Sequence, residues 1–102
     1  NAVANAPVCS PSRAMFMTGR YPVSNGVLVN ANSESAPYGN QLEASARTWS
    51  DVLEDKGYSL GYLGKWHLEA PYPPYMESYN NEGEKKWNEW TPPDRRHGFD
   101  FW

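Results

Sequence analysis

Residues 48–68 read Thr-Trp-Ser-Asp-Val-Leu-Glu-Asp-Lys-Gly-Tyr-Ser-Leu-Gly-Tyr-Leu-Gly-Lys-Trp-His-Leu, and this stretch decides the fold class. Thr48 is a natural helix N-cap, because its hydroxyl can accept a first-turn N–H, and Asp51 stands three residues on in the manner of a capping box. Trp49, Val52 and Leu53 recur at i, i+3 and i+4, which predicts a helix with one apolar face. Gly57 is placed to end it. Tyr58 to Leu63 then reads as a short strand buried on both faces, the pattern of a parallel sheet. Helix, glycine and buried strand make half of a βαβ unit, so the expected class is α/β.

Upstream, Ser10-Pro11 reads as an N-cap followed by Pro at the first helical position, where its missing N–H costs nothing. Ala14, Met15, Phe16 and Met17 continue that helix, with the Met-Phe-Met run assigned to core packing, and Gly19 stops it. Residues 30–47 are polar and turn-rich and predict loop. Beyond Glu69, the segments PYPPY and TPPD, separated by NNEGEKK, predict a long surface excursion.

The chain has 102 residues, of which 39% are hydrophobic, and a mean hydropathy of −0.80. Its apolar residues gather in two stretches, roughly 8–29 and 49–68. A chain this short needs a dense core, disulfides or a metal, and the lone Cys9 forms no internal disulfide. The chain therefore reads as part of something larger. The net charge of −3, with both signs interspersed, argues against a nucleic-acid footprint. No apolar run approaches the roughly 20 residues of a membrane span.

Residues 9–20, Cys-Ser-Pro-Ser-Arg-Ala-Met-Phe-Met-Thr-Gly-Arg, resemble the sulfatase pattern C-[S/T/A]-P-S-R followed by a short apolar helix and T-G-R. Residues 57–68 are similar to the second motif of that family, G-Y-x-[S/T]-x-x-x-G-K-W-H, and the closing Arg95-Arg96-His97-Gly98-Phe99-Asp100-Phe101-Trp102 looks like a segment of sulfatases acting on glycans. The resemblance is to the type I, formylglycine-dependent sulfatases. It implies a central sheet flanked by helices, the alkaline-phosphatase-like fold, with residues 1–102 a partial N-terminal catalytic domain, and hydrolysis of sulfate monoesters.

In that family the cysteine matching Cys9 is oxidised to Cα-formylglycine, whose hydrated aldehyde carries two hydroxyls. One attacks sulfur as a nucleophile, and the other lets the covalent ester collapse with release of sulfate. The maturation enzyme reads Cys-x-Pro-x-Arg, which gives Cys9, Pro11 and Arg13 a role before any turnover. The resemblance assigns Arg13 to holding the hydrated aldehyde, Lys65 to a sulfate oxygen, and His67 to the hydrated aldehyde or the sulfate. Cys9, Arg13, Lys65 and His67 are thus the candidate catalytic residues, with Lys65 and His67 also binding substrate. The positions suit anion chemistry. Cys9 precedes a helix N-terminus, where free N–H groups and the dipole favour negative charge. Lys65 and His67 follow the strand and, two apart on an extended backbone, point the same way.

The resemblance also implies a divalent cation, Ca2+ or alternatively Mg2+, with Cys9 as formylglycine among its ligands. The remaining ligands, like a second lysine and histidine that bind sulfate and protonate the leaving group, are expected outside residues 1–102. Asp51 and Asp55 read as a solvated helix face. Trp66 reads as structural, and His97 as a histidine of a glycine turn or a substrate contact. Asn25 stands near a position where many relatives carry histidine, a departure that bears on substrate rather than on sulfate chemistry. The expected partners are a sulfated glycan or small molecule and the maturation enzyme, in an extracytoplasmic compartment. Two other functions stay open: a phosphate or phosphonate monoester hydrolase, and a non-catalytic binder of sulfated glycans with Cys9 still a thiol.

Overall fold

The computed structural model describes residues 1–102. Three α-helices form: α1 over Cys9–Thr18, α2 over Pro22–Asn25 and α3 over Trp49–Glu54, with short 3-10 turns at Ala36–Tyr38, Tyr79–Asn81 and Pro93–Arg95. The loop expected over 30–47 holds apart from the first of these turns.

Helix α1 ends as its sequence predicts. Gly19 takes φ 66° and returns its N–H to Met15, a left-handed cap that a side chain would oppose. Its start differs from the expectation. Val8 is the N-cap, no side chain caps the helix, and Cys9 is the first helical residue. Ser10 is used elsewhere. Its hydroxyl donates to the carbonyl of His67 at 2.7 Å and accepts the N–H of Ala31 at 3.0 Å. A long-range pairing outcompetes the local cap because Ser10 is fully buried, and both backbone groups there need partners. Ala14 and Met17 enter the core as expected, but Phe16 is 73% exposed, leaning edge-on against Trp49 of α3.

The capping box of α3 forms in both directions, Asp51 N–H to Thr48 Oγ1 and Thr48 N–H to the Asp51 carboxylate. The predicted apolar face does not become buried. Trp49 and Val52 are exposed, and only Ser50 of the helix is buried. Trp49 finds its partners sideways, in Phe16 and Phe99.

The buried parallel strand is also corrected. Residues 58–63 are extended, but Tyr58 is 61% and Leu63 is 84% exposed. Their one pairing is an isolated parallel bridge between Gly61 and Phe101. Around it Tyr62 N–H donates to Phe101 O, and Phe101 N–H donates to Leu60 O. A ladder is a run of consecutive bridges between two strands, and this segment has a single isolated one. The parallel sense agrees with the expectation and the burial does not.

The core gathers Ala14, Met17, Val27, Leu42, Trp66, Leu68 and Phe99. Leu42 and Phe99 come from outside both apolar stretches. The closing segment is a packing element: Phe99 and Trp102 join Tyr62 and Trp66 in one aromatic cluster, with Tyr62 stacked on Trp102 at 5.1 Å between centroids. Gly98 lets that segment pass α3, since a Cβ there would stand 3.1 Å from Ser50 O and from the Glu54 carboxylate, at a φ of 79°.

His97 is structural. It is 6% exposed, and its Nδ1 lies 3.8 Å from the Asp51 carboxylate. Asp51 thus serves the capping box and faces His97, while Asp55 pairs with Arg47. Burial pushes the His97 pKa below its usual value, against the pull of Asp51. The unfolded chain then binds the proton more readily, so stability present above about pH 6.5 is lost as pH falls through the folded-state pKa. In the whole protein, His97→Asn is expected to flatten this acid-side loss in denaturant titrations across pH 5 to 8. Asparagine suits the left-handed backbone at residue 97, whose φ is 47°. An unchanged slope would assign the loss to another group.

Candidate active site

Two segments far apart in sequence meet at one cavity. Cys9 reaches it from the first turn of α1, and Lys65 and His67 reach it from the end of the extended segment. The cavity holds about 790 Å³, within the range of small-molecule sites.

At the start of α1 the backbone donors are nearly all spoken for. The Ser10 N–H goes to Asn30 Oδ1 at 3.1 Å and the Ser12 N–H to Val8 O, while Pro11 has none. The Cys9 N–H is left at the positive end of the helix, beside an exposed Cys9 side chain. A group carrying negative charge is favoured there.

Lys65 and His67 share the cavity by a different route from the one expected. The backbone is not extended across them: Gly64 has φ 110° and His67 has φ 58°. A left-handed conformation is unusual for a residue with a side chain, although histidine adopts it more readily than most. It persists here because both ends of His67 are tied down. Its carbonyl accepts from Ser10 Oγ, and its ring Nε2 lies 2.9 Å from Ala31 O. Strain held in place by surrounding contacts is a common feature of functional sites.

The Ala31 carbonyl can only accept, so Nε2 must carry the hydrogen. Burial, followed by the charges of Lys65 and Arg13, lowers the His67 pKa, against the bond to Ala31. The ring is therefore neutral at pH 7, and Nδ1 bears a lone pair. That atom is buried without a partner, and such an atom is costly unless something else binds it.

Arg13 is not among the residues lining this cavity. Its guanidinium donates to the carbonyl of Lys65, and Tyr62 Oη donates to the same oxygen. Arg13 lines a smaller neighbouring cavity with Phe16, Tyr62 and Trp66. It ties α1 to the Lys65 backbone.

Some contributors were missed in the sequence. Asn30 sits in a polar loop and gives no local signal, since its bond to the Ser10 N–H spans 20 residues. Trp87 lines the cavity with its ring 6.0 Å from that of His67. The expected surface excursion instead folds back over the site, through the bonds of Ser33 N–H to Lys86 O and Lys86 N–H to Ser33 Oγ. The aromatic residues of NNEGEKKWNEW were the available signal.

A cysteine at a helix N-terminus thus shares one cavity with a lysine and a histidine, an arrangement that suits an anionic group. The chain belongs to the sulfatase family, whose model, described as Sulfatase, matches residues 1–101. It is 37% identical to an endo-4-O-sulfatase of Bacteroides thetaiotaomicron, over all of this chain and 20% of that protein. It is 32% identical to an ulvan-active sulfatase of Formosa agariphila, over all of this chain and 16% of the relative. Among solved structures it matches yidJ of Bacteroides fragilis, assigned as a sulfatase, with 61% identity and a TM-score of 0.98 over the whole chain and 22% of that one. The α/β, alkaline-phosphatase-like fold follows from this match. The chain spans about a fifth of the length of these relatives.

The residues present do not build a cation site of their own. No three His, Cys, Asp or Glu side chains converge anywhere in the structure, whereas a hard cation takes six or more oxygens.

Proposed function

We propose that the whole protein is a sulfuric ester hydrolase that cleaves sulfate monoesters on a glycan. The observation that carries this reading is the convergence of Cys9, Lys65 and His67 on one cavity, with His67 Nδ1 buried and unpartnered. Cys9 is the nucleophile precursor, and its conversion to formylglycine supplies a hydrated aldehyde in place of a thiol.

The chain's own residues have separable roles. Lys65 is exposed into the cavity and offers an ammonium to the sulfate oxygens, which counters negative charge that shifts during transfer. His67 Nδ1 accepts a hydroxyl hydrogen from the group at residue 9, which leaves an oxygen lone pair directed at sulfur. A neutral ring does this better than an imidazolium, which has no lone pair to offer. Arg13 acts through the Lys65 carbonyl and fixes the turn that presents both side chains.

A divalent cation, Ca2+ or Mg2+, belongs to this proposal, with residue 9 giving one ligand and the others coming from chain beyond these residues. So do an extracytoplasmic location and an encounter with a formylglycine-generating enzyme. The choice of a glycan rests on the activities for which the endo-4-O-sulfatase and the ulvan-active sulfatase are named.

Release of inorganic sulfate by the whole protein, co-expressed with a maturation enzyme, tests the reading. The substrates are a sulfated disaccharide and 4-nitrophenyl sulfate, set beside the matching phosphate and phenylphosphonate esters. Sulfate release well above phosphate release is expected. Faster phosphoester cleavage would make the protein a phosphate or phosphonate hydrolase, and saturable sugar binding without turnover would make it a binder.

A further inference from the structure

The segment between Met76 and Thr91 does something that sulfate chemistry does not require: with Glu69 and Trp66 beside it, it brings the rings of Trp87 and Trp90, the amides of Asn80 and Asn88 and the Glu89 carboxylate as a wall to the same cavity as Cys9. That wall is built rather than draped. Asn81 is 8% exposed, and its amide donates to Met76 O and Asn88 O while its Oδ1 accepts from the N–H groups of Trp87 and Asn88. One buried side chain therefore sets the position of both Trp87 and Asn88. Lys86 closes the same loop through Asn81 O and Gly83 O. Trp90 is held from one side by the Arg96 guanidinium, 5.4 Å from its ring.

Polar atoms remain unpaired along the wall. Glu69 is 5% exposed, and Arg95 engages its Oε2, but its Oε1 has no partner. Burial pushes the Glu69 pKa up, against the pull of Arg95 and, more weakly, of the Trp66 indole; that indole N–H is itself buried without a hydrogen-bond partner. Asn80 is exposed at the rim with its amide free.

We infer that this wall is a sugar subsite, in which Trp87 stacks on the ring carrying the scissile ester while Asn80, Asn88 and Glu69 take its hydroxyl groups. The inference rests on the sulfatase reading and names the leaving group for the same site. Trp87 lies beside His67, and the Lys85 ammonium stands over its ring at 5.4 Å, so an ester held at His67 would bring its leaving group to the indole on the side away from Lys85. Sugars suit an aromatic face bordered by amides and carboxylates, because their C–H faces cover the ring and their hydroxyls satisfy the polar atoms. A sterol or simple aryl group would cover the indole and leave Glu69 and the amides desolvated without partners, a costly outcome.

The test uses the whole mature protein with a 4-sulfated chondroitin disaccharide, its unsulfated counterpart and 4-nitrophenyl sulfate. For Trp87→Ala, the ratio of kcat/KM on the sulfated disaccharide to that on 4-nitrophenyl sulfate should fall about tenfold or more. Trp87→Phe should restore most of it, and Asn80→Ala, at an exposed position, should lower it several-fold. Calorimetry with the unsulfated disaccharide should show binding to wild type and at least about fivefold weaker binding to Trp87→Ala. An unchanged ratio in both alanine variants, or no binding of the unsulfated disaccharide to wild type, overturns the subsite. A wild type that binds this sugar but releases no sulfate would refute the sulfatase reading and leave the subsite standing.

Discussion

Replacing Cys9 with serine in the whole protein is expected to lower sulfate release by about 10⁴-fold or more, the scale on which losing a covalent nucleophile falls. Serine is nearly the same size, so helix α1 and its exposed first residue should be undisturbed and thermal stability unchanged. What serine lacks is the second hydroxyl that the hydrated aldehyde would offer, so one attack would leave the enzyme blocked. Peptide mass spectrometry across residues 1–13 of the active wild type should find residue 9 as the aldehyde. An active preparation in which Cys9 is entirely thiol, or a serine variant with near-normal turnover, would sink the formylglycine reading.

The second large effect concerns the other wall of the cavity. Lys65→Ala and His67→Asn are each expected to cost about 2–4 kcal/mol in transition-state stabilisation, roughly 30- to 800-fold in kcat/KM. Asparagine is the informative replacement at residue 67, because it tolerates the left-handed backbone that the position requires. The backbone tie from Ser10 to the residue 67 carbonyl then survives while the imidazole is gone. Lys65 is exposed and its side chain holds no structural bond, so its loss should leave the melting temperature in place. The two variants should separate with pH. The wild-type rate should fall on the acid side as His67 takes a proton, below the usual histidine pKa of about 6.5 because burial opposes the charge, and His67→Asn should lack that limb. Near-normal kcat/KM in both variants would reduce Lys65 and His67 to a solvated chain end.

Much of this site was legible in the residues alone. Cys9, Pro11 and Arg13 stand in one short motif and Lys65 and His67 in another, and local spacing alone put one at a helix start and the other at the end of an extended segment. The capping box at Thr48 and Asp51 and the glycine stop at Gly19 were equally local, decided by hydrogen bonds over three or four residues. Such features survive any tertiary context that leaves the helix in place.

The failures share one physical cause, which is that burial and pairing are not local. Trp49 and Val52 have the spacing of a core-facing stripe, but a stripe is buried only if something covers it, and here aromatic rings meet Trp49 from the side. Residues 58–63 have the composition of a sheet interior, but their single pairing is the isolated bridge between Gly61 and Phe101. Ser10 carries a capping side chain, yet it is spent on His67 and Ala31, 57 and 21 residues away.

The amino-acid sequence by itself determined the family and marked Cys9, Arg13, Lys65 and His67 as candidate site residues, because each is written in contiguous types and short spacings. Only the tertiary structure decided how they act together. It turned the backbone left-handed at His67, assigned Arg13 to the Lys65 carbonyl, left His67 Nδ1 without a partner and folded Trp87 over the site. Each of those outcomes depends on which distant backbone group needs a hydrogen-bond partner, and no window of neighbouring residues contains that information.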